Sequence, residues 1–509
     1  MRRLRAVLCA LLSAAAIGAG LVSAGQPAIA APATDTLSWG DCPAGSIPPP
    51  VQGLPRAADL KCAALSVPLD YRDPHGRHIT VEVSLLASRN PAARRGELLL
   101  NPGGPGGSGL PLPVEIGTVG PQPLIDAYDL IGFDPRGIGA STPVTCDMTV
   151  AQEQEVLSWP LVPGGVPANA AVDKQIAEQC QAASGSLLPY ITTANTARDM
   201  DRIRIALGER RISYDGVSYG SYLGAVYATL FPGNTDRVVL DSNVDPTKVW
   251  REVFREWGPG TEIRFPDFEN WLAARAAQYG LGDTPEKVRA TYFALAAKLD
   301  RTPLNGLTGN LFRAFTRGSM YNDASFPQLA AVWQQVAVGA ATAAVAASAA
   351  PTDNPFAALL AVICGDTTWP RSVPRYEADV AHDSRLYPIA GALAADVTPC
   401  AFWPTRPVEP VVPISSYGPR NILLLNNLRD PATPYAGALN MRRALGSRAS
   451  LVTVDAGGHG VFLFGANPCA ADVATQWLVA GKLPGDTFCG ASAAPRSQLA
   501  IPLSPSQLF

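Results

Sequence analysis

The sequence predicts an α/β protein with a mostly parallel β-sheet, helices on both faces and an inserted helical cap. Two observations support this. Short apolar segments that end in turn residues alternate with helical patterns in the first half of the chain. From residue 246 to about 412 the pattern is almost entirely helical, and sheet-type segments return only after it. Such alternation is typical of a parallel sheet covered on both faces. The interruption indicates that two separated stretches build one sheet.

The individual elements follow from periodicity and turn signals. Strands are expected at 63–67, 79–87, 97–101, 128–133, 212–214, 421–425 and 450–454. Helices are expected at 197–207, 221–231, 285–299 and 328–350, the last ending in a small-residue segment, 338–350, that favours a core-facing helix. These elements predict a signal peptide at 1–30, an extended arm at 31–59, core at 60–245 and 413–490, a cap at 246–412 and a C-terminal tail at 491–509.

The N-terminus has the pattern of an export signal. Three arginines among the first five residues precede an apolar run, 6–24, and a small-x-small end at 28–30. A basic start, an apolar middle and a small-residue end are typical of secretory signals. We therefore expect cleavage after Ala30 and an extracellular protein. An uncleaved membrane anchor is the alternative, since the run is almost long enough to span a bilayer.

Signal removal would leave eight cysteines, and an even number in an exported chain favours disulfides. Their spacing suggests that neighbours pair in order, as Cys42–Cys62, Cys146–Cys180, Cys364–Cys400 and Cys469–Cys489. The chain has no CxxC or HExxH motif and only four scattered histidines, so we expect no metal and no other cofactor.

The composition and the net charge of the chain indicate which kinds of binding partner to expect. The chain is 47% hydrophobic and 16% charged, as in ordinary globular proteins. Its net charge is −3 and it has no polybasic run, so we expect no nucleic-acid partner and, after signal removal, no membrane.

The segment Gly216-Val217-Ser218-Tyr219-Gly220 carries the strongest chemical signal. It lies between a predicted strand and a predicted helix, where the G-x-S-x-G pattern forms the nucleophile elbow of α/β-hydrolases. Glycines suit this tight turn because a Cβ would clash there. The pattern therefore predicts Ser218 as the nucleophile. Ser108 is a rival nucleophile, but it lacks the strand–turn–helix context.

A glycine-rich segment at 101–109, NPGGPGGSG, directly follows a predicted strand upstream of the elbow. Such a loop can direct backbone N–H groups toward one point, as an oxyanion hole requires. We expect the N–H groups of Gly104 and Tyr219 to be the two donors. A phosphate-binding loop is disfavoured because no lysine follows it as in a Walker motif.

The general base is expected to be His459, which follows the last predicted strand. The chain order Ser, acid, His is that of α/β-hydrolases. Asp430 and Asp455 both lie between Ser218 and His459. Asp430 is the preferred acid because the loop after its strand can carry the carboxylate to the imidazole, whereas Asp455 is only four residues before His459.

Several motifs together resemble the secreted tripeptidyl aminopeptidases of the α/β-hydrolase superfamily, over nearly the whole mature chain. They are NPGGPGGSG, GFDPRGIGAST (132–142), NTARDMDRIRIALG (195–208), GVSYGSYLGAVYATLFP (216–232), CGDTTWP (364–370), PCAFWP (399–404), RDPATPY (429–435) and GGHGVF (457–462). The resemblance implies release of short peptides, commonly tripeptides, from peptides with a free N-terminus. It also implies Ser218, Asp430 and His459 as triad and a helical cap that restricts the cleft.

An exopeptidase must also hold the α-ammonium of its substrate, usually with a carboxylate in a partly closed pocket. Asp366, next to Cys364, is the candidate, and a loop-capping acid is the alternative. Relatives can have an acidic residue before this cysteine, where this chain has Ile363. Alternative functions are an esterase or amidase for small acyl compounds, a mono-, di- or proline-type aminopeptidase, and a non-catalytic binding protein.

Overall fold

The central element of the molecule is one β-sheet, seen in a computed structural model that describes residues 37–156, 158–340 and 352–492. Its strand order is β1-β2-β4-β3-β5-β6-β7-β8-β9. The pairs β1–β2 and β2–β4 are antiparallel, and every later neighbouring pair is parallel. The strands are β1 Lys61–Pro68, β2 His78–Leu86, β3 Gly96–Asn101, β4 Tyr128–Phe133, β5 Ile212–Val217, β6 Thr235–Asp241, β7 Ile422–Arg429, β8 Ala449–Gly457 and β9 Thr487–Cys489. The predicted mostly parallel sheet is confirmed.

Helices cover both faces of this sheet, and every residue of the central strands β3 and β5 is buried. Parallel strands covered in this way show continuous apolar runs. Outside the long β6–β7 connection the α-helices are α1 Pro49–Gln52, α2 Leu112–Val119, α3 Gln122–Ala127, α4 Val150–Glu155, α5 Gly165–Ser184, α6 Thr193–Ala206, α7 Tyr219–Leu230, α17 Tyr435–Leu445 and α18 Pro468–Thr475. Apolar residues of α6, α7 and α17 pack on one face, and those of α2 and α18 on the other.

The connection from β6 to β7 contains helices and no strand in its described residues. The helices are α8 Arg251–Arg255, α9 Trp257–Ala273, α10 Ala276–Tyr279, α11 Pro285–Arg301, α12 Gly309–Ser319, α13 Phe326–Val338, α14 Asn354–Asp366, α15 Val373–Leu386 and α16 Gly391–Ala395. Part of this helical cap has its own apolar core, which includes Phe265, Phe268, Tyr292 and Trp333. The cap is thus inserted between two neighbouring parallel strands, as predicted; its exact boundaries stay a prediction.

Two strands were not predicted from the sequence, and one predicted helix is shorter than expected. Strand β6 was not predicted because the charged residues near its start, Asp236 and Arg237, obscure the apolar run that follows them. The short strand β9 was not predicted either. The helix predicted at 328–350 ends at Val338, where Gly339 takes a left-handed φ of 74° and closes the helix. The small-residue segment from 341 onward lies outside the described residues.

The N-terminal segment predicts export, and an even number of cysteines in an exported chain predicts disulfides. The predicted signal peptide and most of the C-terminal tail lie outside the described residues. Within the predicted arm, residues 49–52 form the short helix α1 instead of extended chain; Pro49 is its first residue, a position where the missing N–H of proline costs no hydrogen bond. The four disulfides pair as the spacing suggested. No helix of the described residues is long and apolar enough to span a membrane.

Candidate active site

Ser218 occupies the turn between β5 and α7 and has the left-handed backbone angles φ 61° and ψ −123°. A non-glycine residue in this region is strained, and such strain collects at functional sites. The flanking glycines make the turn possible, because a Cβ on Gly216 would lie 2.6 Å from the carbonyl oxygen of Gly220. Ser218 itself is partly exposed, so its hydroxyl is reachable from outside.

The glycine-rich loop packs directly on this turn. A Cβ on Gly103 would lie 2.4 Å from the Val217 carbonyl oxygen and 3.0 Å from Cβ of Ser218, and both Gly103 and Gly104 have left-handed φ. Within the described chain, neither the Gly104 nor the Tyr219 N–H group has a hydrogen-bond partner. Two unoccupied backbone donors beside a serine are what an oxyanion hole provides.

Asp134, directly after β4, fixes the far side of this loop. Its buried carboxylate accepts hydrogen bonds from the Ser108 hydroxyl at 2.5 Å and the Gly109 N–H at 3.1 Å. Burial raises the pKa of Asp134, and the Ser108 hydroxyl and the backbone donors lower it. Ser108, the rival nucleophile of the sequence analysis, is therefore an anchor of the loop. Asp134 was missed because its role depends on donors 25 residues upstream.

Asp430 and His459 form a direct pair. Nδ1 of His459 lies 3.0 and 2.9 Å from the two carboxylate oxygens of Asp430, whose side chain is fully buried. The loop after β7 holds this carboxylate, because it also accepts the Ala432 N–H, the Thr433 N–H and the Thr433 hydroxyl. Since a carboxylate only accepts, the histidine proton lies on Nδ1 and Nε2 is left as the base.

The competing acid, Asp455, lies in a different ion pair. Its carboxylate accepts a hydrogen bond from Nη1 of Arg429 at 2.8 Å, and both side chains are about a third exposed. The structure thus brings Asp430 to His459 and places Asp455 beside an arginine.

A turn of the cap also contacts the histidine. The carbonyl oxygen of Tyr321, two residues after α12, accepts the His459 N–H at 2.8 Å. The Tyr321 ring stands edge-on to the imidazole, with centroids 5.0 Å apart. A Cβ on Gly458 would lie 2.6 Å from that same carbonyl oxygen, which explains the glycine before the histidine.

Asp241, the last residue of β6, joins the serine turn to the histidine loop. Its carbonyl oxygen accepts the Ser218 N–H at 2.9 Å, and its carboxylate accepts the Val461 and Phe462 N–H groups. In the described part of the chain no hydrogen bond joins the Ser218 hydroxyl to His459, and such bonds are often long before substrate binds. The two residues are nevertheless held at one edge of the sheet by this one aspartate.

Asp366 ends α14 and is surrounded by donors. It accepts the N–H and hydroxyl of Thr193 at 2.9 and 2.6 Å, and the Trp250 indole N–H at 2.9 Å. Desolvation raises its pKa to about 6, against the effect of these donors. Thr193 is the first residue of α6, so Asp366 caps the start of this helix. A capping role is the alternative to ammonium binding that the sequence left open. Thr193 also lies 3.0 Å from the hydroxyl of Tyr219, which links Asp366 to the residue after Ser218.

A small hollow of about 10 Å³ lies beside Asp366, lined also by Tyr222, Glu409 and Val411. This volume matches one water-sized group. Glu409 is engaged by Arg198 at 2.6 and 2.8 Å, so Asp366 is the carboxylate of this hollow without an arginine partner in the described residues. No cluster of three or more possible metal ligands occurs among the described residues.

A strained serine between a strand and a helix, on a mostly parallel sheet with a helical insertion, defines an α/β-hydrolase. Comparison with known proteins agrees, since the family described as "TAP-like protein" matches residues 387–489. A tripeptidyl aminopeptidase of Streptomyces lividans is 35% identical over 484 residues, which cover 90% of this chain and 88% of the relative. The chain belongs to this tripeptidyl aminopeptidase family and is a serine hydrolase.

Two further relatives have different names. "Serine protease Hip1" of Mycobacterium tuberculosis is 29% identical, covering 94% of this chain and 95% of the relative. "Carboxylesterase B" of the same species is 30% identical, covering 93% and 97%.

Proposed function

We propose that the protein is an exported exopeptidase that releases short peptides, tripeptides above all, from substrates with a free N-terminus. The triad is Ser218, Asp430 and His459, and the N–H groups of Gly104 and Tyr219 form the oxyanion hole. The observation that carries this proposal is the buried Asp430–His459 pair, held at the same sheet edge as a strained, partly exposed serine. The tripeptidyl aminopeptidase relatives support the peptide specificity.

The reaction follows from the roles of these groups. Nε2 of His459 removes the Ser218 proton as Oγ attacks the scissile carbonyl, and Asp430 stabilises the imidazolium that forms. The developing oxyanion accepts hydrogen bonds from the two N–H groups, which have no partner to give up among the described residues. His459 then protonates the leaving amine, and water releases the peptide from Ser218 by the same steps in reverse.

Recognition of the N-terminus is assigned to Asp366. It lines a hollow of the size of an ammonium group, and the Thr193 hydroxyl contacts both its carboxylate and the side-chain hydroxyl of Tyr219. The second candidate function is an esterase for small acyl compounds, favoured by the carboxylesterase relative, because a triad does not choose its acyl group. The two candidates differ in whether a substrate cation matters.

Acetylation of the substrate's α-amine is expected to lower kcat/KM for tripeptide amides roughly 30- to 1000-fold. Loss of a partly buried charged hydrogen bond costs on the order of 2–4 kcal/mol. Asp366→Asn should lower kcat/KM for the free amide to a similar extent and change the acetylated amide little, because the partner charge is already absent there. Steady-state kinetics on four enzyme–substrate pairs measure this.

A small activated ester that fills only the acyl site is the control, and both proteins should hydrolyse it at similar rates.

Since the pKa of Asp366 is about 6, the carboxylate binds an ammonium above that pH and loses its charge below it. KM for the free tripeptide amide should therefore rise as the pH falls through 6, and KM for the acetylated amide should not. Equal cleavage of free and acetylated amides would remove the exopeptidase and leave the esterase. A large effect of acetylation without one of Asp366→Asn would show a different ammonium ligand.

Export is the remaining part of the proposal, and the four disulfides support it because such bonds persist in oxidising compartments. The exported protein should begin at Ala31 and contain no free thiol when denatured without reductant. N-terminal sequencing and thiol titration measure both. Two or more reactive thiols in active protein, or retention of residues 1–30, would contradict this part alone.

A further inference from the structure

The carboxylate of Asp241 holds three consecutive residues of the histidine loop at the end of β6, together with its neighbour Ser242. It accepts the Val461 N–H at 2.9 Å and the Phe462 N–H at 2.7 Å. Ser242 accepts the Gly460 N–H at 2.8 Å and donates its hydroxyl to Asp241 at 3.1 Å. The residue directly before these three is His459.

The same residue fixes the nucleophile through its main chain. Asp241 pairs with Val217 in the parallel register of β5 and β6, and its carbonyl oxygen accepts the Ser218 N–H. A single residue therefore has its carbonyl on the serine turn and its carboxylate on the histidine loop. A displacement of about 1 Å between reacting groups can cost on the order of 100-fold in rate.

The surroundings decide where the negative charge lies. Asp215, two residues before Val217, points to the same sheet face as Asp241, and one of its oxygens is buried with no hydrogen-bond partner among the described residues. Burial and the neighbouring Asp241 raise the pKa of Asp215 well above its ordinary value. The residue facing Asp241 from β7 is the apolar Leu425. With three donors on Asp241 and none on Asp215 among the described residues, the hydrogen bonds favour the negative charge on Asp241.

This charge acts on the base. Burial raises the pKa of Asp241 to about 6, and its three donors together with a protonated His459 lower it. The interaction is reciprocal, so an ionised Asp241 favours the imidazolium that forms during catalysis. At neutral pH the carboxylate is ionised although it is fully buried, and ionisation in that position costs stability.

We propose that Asp241 is a positioning residue that sets the distance between Ser218 and His459 and stabilises the protonated base. The inference rests on the proposed roles of Ser218 and His459, which touch the substrate, whereas Asp241 acts through them. The acid of the triad stays Asp430, because Asp241 bonds to the backbone of the histidine loop and not to the imidazole.

Asp241→Asn is expected to lower kcat and the rate of fluorophosphonate labelling about 10- to 100-fold with KM nearly unchanged. The amide keeps the shape but turns an N–H₂ group toward one of the loop donors and removes the charge. The acid limb of kcat/KM against pH should move to lower pH, because the imidazolium loses a stabilising neighbour. A purely structural loss would reduce the labelled fraction and leave the pH profile of the remainder unchanged.

Asp215→Asn is the matched control, since it removes a buried carboxyl from the same sheet face without a bond to the histidine loop. It should label at nearly the wild-type rate. If Asp241→Asn does not fold, Ser242→Ala decides, because it removes the acceptor of the Gly460 N–H; it should slow labelling several-fold. Wild-type labelling with an unmoved acid limb in Asp241→Asn, or wild-type labelling in Ser242→Ala, would overturn the inference. Failure of the wild-type protein to react with fluorophosphonate would instead remove the proposed function.

Discussion

Ser218→Ala is expected to abolish both peptide hydrolysis and covalent labelling by a fluorophosphonate, while the protein stays folded. In the proposed mechanism the elbow serine is the nucleophile that His459 activates, and alanine removes the attacking oxygen with almost no change in volume. Turnover should fall on the order of 10⁶-fold, the loss found when the nucleophile of a serine protease triad is removed, because only oxyanion and binding effects are left. Intact mass after labelling and initial rates on a tripeptide amide measure the two losses.

Ser108→Ala is the matched control for this experiment. Its hydroxyl bonds to Asp134 in the glycine-rich loop, so the variant should still be labelled once per chain, although the loop is less well anchored. Undiminished labelling of Ser218→Ala would contradict the assignment. Loss of labelling in Ser108→Ala alone, with the fold retained, would identify that serine as the nucleophile instead.

Asp430→Asn is expected to lower kcat about 10⁴-fold at neutral pH, the loss found when the equivalent acid is replaced in a serine protease triad. An amide at this position can donate to Nδ1, which favours the wrong tautomer of His459 and leaves Nε2 protonated. The buried carboxylate also accepts three donors from the turn at 430–433, so thermal unfolding should be followed alongside kcat.

Asp455→Asn provides the comparison, because Asp455 precedes the same histidine but bonds to Arg429. Its effect on kcat should stay within a few-fold. The loss of stability should be within about 1 kcal/mol, as for other exposed ion pairs. If Asp455→Asn were the damaging substitution and Asp430→Asn the mild one, the acid would be assigned to the wrong carboxylate.

The nucleophile turn could be predicted from the sequence because its geometry is local. Gly216 lies so close to Gly220, and Gly103 so close to Val217, that neither position has room for a Cβ. The glycines in the sequence therefore indicate the tight turn directly. The order of Ser218, Asp430 and His459 likewise reflects a fixed strand order. Such features depend on short-range sterics or on chain order, and both are visible in a sequence.

The residues that hold these groups together were not predicted, because their partners are distant in sequence. Asp241 binds residues 220 positions later, Asp134 binds donors 25 positions earlier, and Tyr321 reaches His459 from the cap. The residues next to a carboxylate at the end of a strand do not indicate which distant N–H or hydroxyl groups the carboxylate will bind. Strand β6 was missed for a related reason, since Asp236 and Arg237 break its apolar period while its second half supplies Asp241.

The hydrogen bond from the His459 N–H to the Tyr321 carbonyl has a consequence for engineering. Because a residue of the cap accepts the backbone N–H of the proposed base, the cap cannot be exchanged without regard to this contact. A chimera that takes its helices from a relative to change specificity must keep the turn after α12 and its spacing from Gly458. Within that turn the Tyr321 ring packs nearly perpendicular to the imidazole, so directed evolution there would be expected to alter rate as well as selectivity. Diversity introduced on α10, which packs on α9 and α13, is expected to leave this contact intact.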